Sequence, residues 1–307
     1  MKDKKIILFI YIFVMFTLFF VSLTNILIDD NYKKIYDISI ILDDVDSDKF
    51  AKLKMGIEDS SIDLFVDINY IYLENRNVDE QKNAIQYALE KDVDGIVILP
   101  VDADEINGFL NEISINVPII SITQNMVNEK VSGSISTDFI ELGKKLGGEI
   151  IKNTETKNVV CFTEKGKSDA GIYKSLATVL VSHGFNSELV YYSEMDFEDR
   201  VNDFSKEATI FVSLDFYTTS KFIKDYLIED DLIFYGFGYK NGYINYLYNK
   251  KIEGLIFYDE YLMGYLGVQK LTNALEGNIV YKNENVPNYL VLKDEVNNYE
   301  NILFPVE

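Results

Sequence analysis

The chain is short of the residues that most chemistry needs. One cysteine in 307 residues excludes a disulfide framework and any cysteine-cluster metal site. One histidine excludes histidine-rich zinc sites and leaves acid–base catalysis hard to staff. With 29 Lys and Arg against 50 Asp and Glu, the net charge of −21 argues against nucleic-acid binding, because phosphate contacts need clustered cations. Only four prolines occur, so no connection is Pro-rich, and there is no tryptophan. No G-x-S-x-G, P-loop or H-E-x-x-H motif is found. The expectation is a protein that is not an enzyme and needs neither metal nor cofactor. What is present is a globular composition, 48% hydrophobic and 26% charged, rich in Tyr and Phe and long enough for about two domains.

The amino terminus stands apart. Ile6 to Ile28 is a run of 23 residues without a charge. At about 1.5 Å per residue such a helix crosses roughly 30 Å of hydrocarbon. Lys2, Lys4 and Lys5 precede it and Asp29 and Asp30 follow, which places residues 1–5 in the cytoplasm and the bulk of the chain outside. A cleaved signal peptide is the rival reading, but Ser22-Leu23-Thr24-Asn25 is a poor cleavage site. No nearby cysteine offers lipid attachment. The three lysines and three aspartates of the first 30 residues cancel, so the entire −21 belongs to the outer part. An acidic exterior stays soluble and avoids anionic lipid.

Beyond the run, short Ile- and Val-rich segments alternate with longer amphipathic ones. Strands are expected at 38–42, 66–73, 95–99, 118–122, 158–162, 188–192, 208–213, 232–236 and 253–258. Helices are expected at 47–61, 79–91 with Asp79 as cap, 104–113, 138–152, 168–183 ending at Gly184, a stretch to 205, 218–228 and 261–275 closed by Gly277. The strand runs do not alternate, so both faces of each sheet are covered. This pattern points to parallel α/β sheets with right-handed crossovers, in two halves of similar size.

Several segments carry a family resemblance in their order and spacing. They are Phe50-Ala51-Lys52-Leu53-Lys54-Met55-Gly56, Leu73-Glu74-Asn75 followed by Asp79-Glu80-Gln81 and Ile85, Asp94 to Pro100, Val117 to Ile122, and Ile135-Ser136-Thr137-Asp138 with Leu142-Gly143. Over most of residues 35–295 the chain resembles the periplasmic sugar-binding proteins of the ribose/galactose/xylose type, the type I solute-binding proteins. The effector domains of LacI-type repressors share that fold, but a membrane segment stands here where they would carry a helix-turn-helix. The resemblance implies two Rossmann-like lobes, 35–136 with 260–286 and 137–258 with 287–307. Three hinge crossings are implied near 135–138, 258–260 and 285–289, with ligand in the cleft at the strand carboxyl ends and hinge closure as the signal.

Set beside the family pattern, the site residues depart. Phe50 matches a ring position. Thr123 and Gln124 stand where Asp and Arg clamp sugar hydroxyls. Gly171 or a neighbour replaces an Arg. Leu214 replaces an Asn, with Asp215 following. Gly238 replaces an Asp, and Tyr258 replaces an amide side chain. The charged set that reads hydroxyls looks largely missing, so either the ligand is not an ordinary pentose or hexose or the domain has lost ligand binding.

The candidate ligand-binding residues are therefore Asp44, Phe50, Thr123, Gln124, Asp215, Tyr217, Tyr239 and Tyr258. Each has a plainer reading. The aromatics can be core, and Asp44, Asp46 and Asp48 can form a solvated loop in which Ser47 or Asp48 caps the next helix. Asp215 can cap a helix. The three aspartates lack the Gly and terminal Glu of a calcium loop. Cys161 reads as a buried small hydrophobe, and His183 as a residue facing helix carbonyls. The expected function is a membrane-anchored, extracytoplasmic binding protein. It takes a small, carbohydrate-like ligand between two lobes and presents it to an ABC permease or a sensor histidine kinase. The alternative is a ligand-free interaction module with the same fold, which a cleft filled by Tyr239 and Tyr258 would favour.

Overall fold

The structure is a computed structural model that describes residues 2–23, 34–45, 48–164, 170–192, 197–207, 209–226, 232–278 and 282–299. It divides into two units, Met1–Ile35 and Tyr36–Glu307. The first contains α1 (Lys2–Leu23), whose described side chains from Phe9 to Phe20 all stand exposed. Over the described residues no helix is long and apolar enough to cross a membrane, and residues 24–28 of the expected span 6–28 lie outside them.

The second unit holds two six-stranded sheets. In chain order its first half runs β1 (Asp37–Leu42), α2 (Ala51–Leu64), β2 (Asp67–Tyr72), α3 (Val78–Glu90), β3 (Gly95–Ile98), α4 (Ala103–Glu112), β4 (Ile119–Ile122) and β5 (Val131–Thr137). Then come α5 (Phe139–Asn153), β6 (Asn158–Thr163), α6 (Ala170–Ser182), β7 (Asn186–Tyr191), α7 (Phe197–Phe204), β8 (Thr209–Ser213), α8 (Phe216–Asp225), β9 (Ile233–Phe237), α9 (Asn241–Tyr248) and β10 (Gly254–Tyr258). α10 (Glu260–Leu275), β11 (Asn283–Val286), β12 (Asn288–Leu292) and a short 3-10 turn follow. The first sheet is ordered β11-β5-β4-β3-β1-β2 and the second β12-β10-β9-β8-β6-β7. All pairings are parallel except β12 on β10, so the second lobe is not purely parallel.

Both faces of each sheet are buried, as unbroken Ile and Val runs require. On the first sheet, Ile38, Ile40 and Leu42 pack with Leu53 and Ile57 of α2 and Met263 and Leu271 of α10. On its other face Ile41, Ile96 and Ile98 meet Ile85 of α3 and Ile106 of α4. On the second sheet, Val159 and Cys161 meet Leu146 of α5 and Leu176 of α6, while Phe162 and Phe211 meet Phe222 of α8 and Leu247 of α9. Cys161 is wholly buried and its thiol is pushed up by that burial.

The chain passes between the sheets three times, after β5, after β10 and between β11 and β12. The crossings lie side by side. Asp259 N–H donates to the Pro287 carbonyl (2.9 Å), Thr137 Oγ1 to the Val286 carbonyl (3.1 Å) and Asn288 Nδ2 to Thr137 Oγ1 (3.3 Å). Two helices leave the crossings under aspartate caps, Asp138 on Glu141 N–H (2.8 Å) and Asp259 on Leu262 N–H (2.9 Å).

Some local expectations are corrected. Asn77, not Asp79, caps α3 through Glu80 N–H (2.9 Å), and Asp79 sits in the first turn. α2 starts after Phe50 with no side-chain cap, so Asp48 is not a cap; Asp46 and Ser47 lie outside the described residues. β5, α9, β11 and β12 went unrecognised in the sequence.

Candidate functional site

Between the lobes lies a cavity of about 310 Å³, at the small end of the range for small-molecule sites. Its walls are the residues that follow the strands. Asp43 and Asp44 come after β1, Leu99 and Pro100 after β3, and Thr123 and Gln124 after β4. Glu164 follows β6, Leu214 and Asp215 follow β8, and Gly238 follows β9. Parallel strands leave a crevice at their carboxyl ends because the chain departs there into helices. Two facing sheets turn that crevice into a pocket walled from both sides.

Seven of the eight expected residues line this cavity: Asp44, Phe50, Thr123, Gln124, Asp215, Tyr217 and Tyr258. Tyr239 does not. Gly238, at φ +93, turns the chain so that glycine faces the cavity while Tyr239 packs into the lobe against Phe257 at 6.0 Å. Phe139 and Phe237 flank Tyr258, with ring centroids 6.2 and 6.1 Å away, and complete an aromatic wall. Gln124 Nε2 donates to the Pro100 carbonyl (3.0 Å). Thr123 stands in left-handed backbone, φ +72, which is strained for a β-branched residue. Asp215 both caps α8 and lines the cavity. One of its carboxylate oxygens accepts Thr218 N–H (2.7 Å) and the other Glu164 N–H (2.9 Å). Burial raises its pKa against those hydrogen bonds.

The family's charged positions are substituted, yet the cavity still carries charge. Asp43, Asp44, Lys49, Arg76, Glu164, Asp215, Lys240 and Glu260 all reach the cavity. Arg76 comes from a loop that the family pattern did not single out, while Asp215, Lys240 and Glu260 stand within two residues of its positions at 214, 238 and 258. Lys49 Nζ lies 2.7 Å from Asp43 and 3.6 Å from Asp44. Arg76, in the β2–α3 loop, places Nε 3.0 Å from Asp44 and grips Glu164 with both terminal nitrogens, at 3.1 and 2.7 Å. Burial pulls the Arg76 guanidinium down, but Glu164 and the Asp44 and Asp43 charges outweigh it and hold it above its usual value. Glu260 opens α10 at a crossing. Desolvation pushes its carboxyl up to about 8 although Lys52 and Lys49 pull it down. Lys52 is drawn down to about 8, by burial against the opposing pull of Glu260 and Asp259.

Sequence reasoning missed Arg76, Lys49, Glu164 and Glu260. One signal was available for Arg76: the chain has only two arginines, and this one lies in the loop that follows β2. Chemically, the site offers ring faces for an apolar surface together with paired charges for hydroxyl or other polar groups.

The family model described as the periplasmic binding protein domain matches residues 38–279. No protein of curated function matches the chain by sequence. Among solved structures, a glucose-galactose binding protein from Geobacillus stearothermophilus is 18% identical, with a TM-score of 0.74 over 89% of this chain and 100% of its own. An ABC transporter solute-binding protein from Agrobacterium vitis, bound with alpha-D-tagatopyranose, is 14% identical, with a TM-score of 0.76 over 88% and 97%. Another from Burkholderia graminis, in complex with D-arabinose, is 16% identical, with a TM-score of 0.76 over 91% and 100%.

Proposed function

The chain belongs to the periplasmic binding protein domain family, whose members are binding proteins and not enzymes, and from that premise we propose that it is an extracytoplasmic receptor for a small, carbohydrate-like solute. The observation that carries this reading is the cavity at the strand carboxyl ends of both lobes, where ring faces and carboxylate, guanidinium and ammonium groups converge. The void, with Tyr239 outside it, favours ligand binding over a ligand-free interaction module. Asp44, Phe50, Thr123, Gln124, Asp215, Tyr217 and Tyr258 are the proposed contacts, joined by Arg76 and Glu260.

The same proposal includes an anchor. The uncharged run 6–28, its preceding lysines and the exposed apolar side chains from Phe9 to Phe20 support a helix in lipid. Thr17 Oγ1 donates to the Phe13 (3.1 Å) and Val14 (2.9 Å) carbonyls, which satisfies its hydroxyl within the helix. A tethered receptor suits a sensor histidine kinase, and an ABC permease is the other partner this reading admits.

The test is thermal unfolding of the full chain in detergent against pentoses, hexoses, nucleosides and autoinducer-like compounds. A true ligand at 100 times its Kd stabilises by about 2.7 kcal/mol, or roughly 5–10 °C. No shift with any compound sinks the reading.

A further inference from the structure

Among the described residues, two ion pairs and two cation–ring contacts run from lobe to lobe around the cavity, one of the latter between the Arg76 guanidinium and the Tyr217 ring (5.8 Å). Arg76 of the first lobe holds Glu164 of the second by a two-point grip (3.1 and 2.7 Å). Lys240 of the second lobe reaches Asp48 of the first (2.8 Å). Beside it, Lys52 of the first lobe lies 3.5 Å from the centre of the Tyr239 ring of the second.

We propose that Arg76 and Lys240 are lobe-locking residues, which hold the cleft closed before any ligand arrives. Arg76 is aimed in advance. Its Nε lies 3.0 Å from Asp44 of its own lobe, an ion-pair distance without hydrogen-bond geometry, and its backbone is left-handed, φ +52, just before the Asn77 cap of α3. On the opposite side, Glu164 is steadied by its N–H on Asp215. A guanidinium matches a carboxylate at two points, as an ammonium cannot, and basic residues in this chain are otherwise nearly all lysine. The Arg76 and Glu164 side chains are only 23% and 18% exposed, so bulk salt screens this pair weakly. The Lys240 and Asp48 side chains, 35% and 63% exposed, form the outer and more salt-sensitive pair. Closure thus draws on contacts internal to the protein, and the equilibrium that a ligand must shift already leans toward the closed form.

The clamp is tested without ligand. The full chain, in lipid nanodiscs, carries Asp79→Cys on the first lobe and Asp199→Cys on the second, both exposed, while the native Cys161 is wholly buried and takes no label. Spin-label distances should show the short, closed separation in more than half of the molecules. The pair Glu164→Gln with Asp48→Asn should reduce the closed population to roughly a tenth or less, the level of an ordinary minor state. Arg76→Lys, which keeps the charge but loses the fork, should fall between. A single long distance in the unmodified protein overturns the proposal, as does a closed fraction that the double substitution leaves unchanged. Circular dichroism of each variant separates opening from misfolding. Because no ligand enters the measurement, a failed clamp leaves the binding reading standing, and a failed ligand panel leaves the clamp readable.

Discussion

Glu260 shows how a single side chain can register acidity. Its carboxyl is raised to about 8 in the folded protein, from an ordinary 4.5. The folded state therefore keeps a proton that the unfolded chain releases. This contribution to stability is complete below about 4.5 and is lost as pH rises through about 8. Urea unfolding of the unmodified protein between pH 5 and 8 should lose stability relative to Glu260→Gln, with the gap changing steadily over that window; a constant gap sinks the assignment. Thr123 is the second residue to probe. A β-branched side chain at φ +72 costs about 1–2 kcal/mol. Thr123→Gly should raise stability by about 0.5–1 kcal/mol after glycine's own entropic cost, read from the denaturation midpoint. Legibility at this scale was uneven. Phe50 and Asp215 could be placed because each stands at a strand-to-helix junction. Arg76 and Glu164 could not, because their roles arise only when two loops 88 positions apart in the chain meet. Tyr239 was misplaced by one residue, since the sense of the turn at Gly238 is set by backbone geometry.

Among the elements, the most demanding contacts are two pairs of crossed helices. A Cβ on Gly56 of α2 would collide with the Tyr261 carbonyl oxygen of α10, and one on Gly264 of α10 with the Leu53 carbonyl oxygen of α2. The second lobe repeats the device, where a Cβ on Gly143 of α5 would meet Ser175 Oγ and the Ile172 carbonyl of α6. At Gly56 and Gly264 backbone lies against backbone, so there is no side chain to give way. Gly56→Ala should cost about 1–3 kcal/mol or more in chemical denaturation, against less than about 0.5 kcal/mol for Gly148→Ala, where the space is open. These glycines sat inside motifs visible in the sequence, yet periodicity says nothing of how closely two helices cross. Apolar strands such as Ile38 to Leu42 were legible because burial on both faces demands uninterrupted Ile and Val. β5 was not, since Val131-Ser-Gly-Ser-Ile-Ser-Thr137 is mostly small and polar although most of it is buried. Its hydroxyls find partners inside, as when Ser136 Oγ donates to the Thr123 carbonyl (3.1 Å) and Ser134 Oγ accepts Met126 N–H (3.1 Å). Helix caps at Asp138 and Asp259 carry a further expectation. Asp259→Ala should lose about 1 kcal/mol while Asp259→Asn keeps most of it, because the amide oxygen can still accept Leu262 N–H.

At the level of the whole molecule, the three crossings matter more than their few residues suggest. Thr137 Oγ1 is both donor to Val286 and acceptor from Asn288, so it ties two of them together. Thr137→Val keeps the volume but removes both bonds. It should cost about 1 kcal/mol and widen the spread of lobe-to-lobe distances in the spin-label experiment. An unchanged spread would mean that the bond has no part in guiding the motion. Three neighbouring strands of chain, fastened to one another along a short seam, leave two otherwise stiff bodies with one angular freedom and little room to slide or twist. The condition of the entire molecule then reduces to a single coordinate, which a partner touching each body at one point could read.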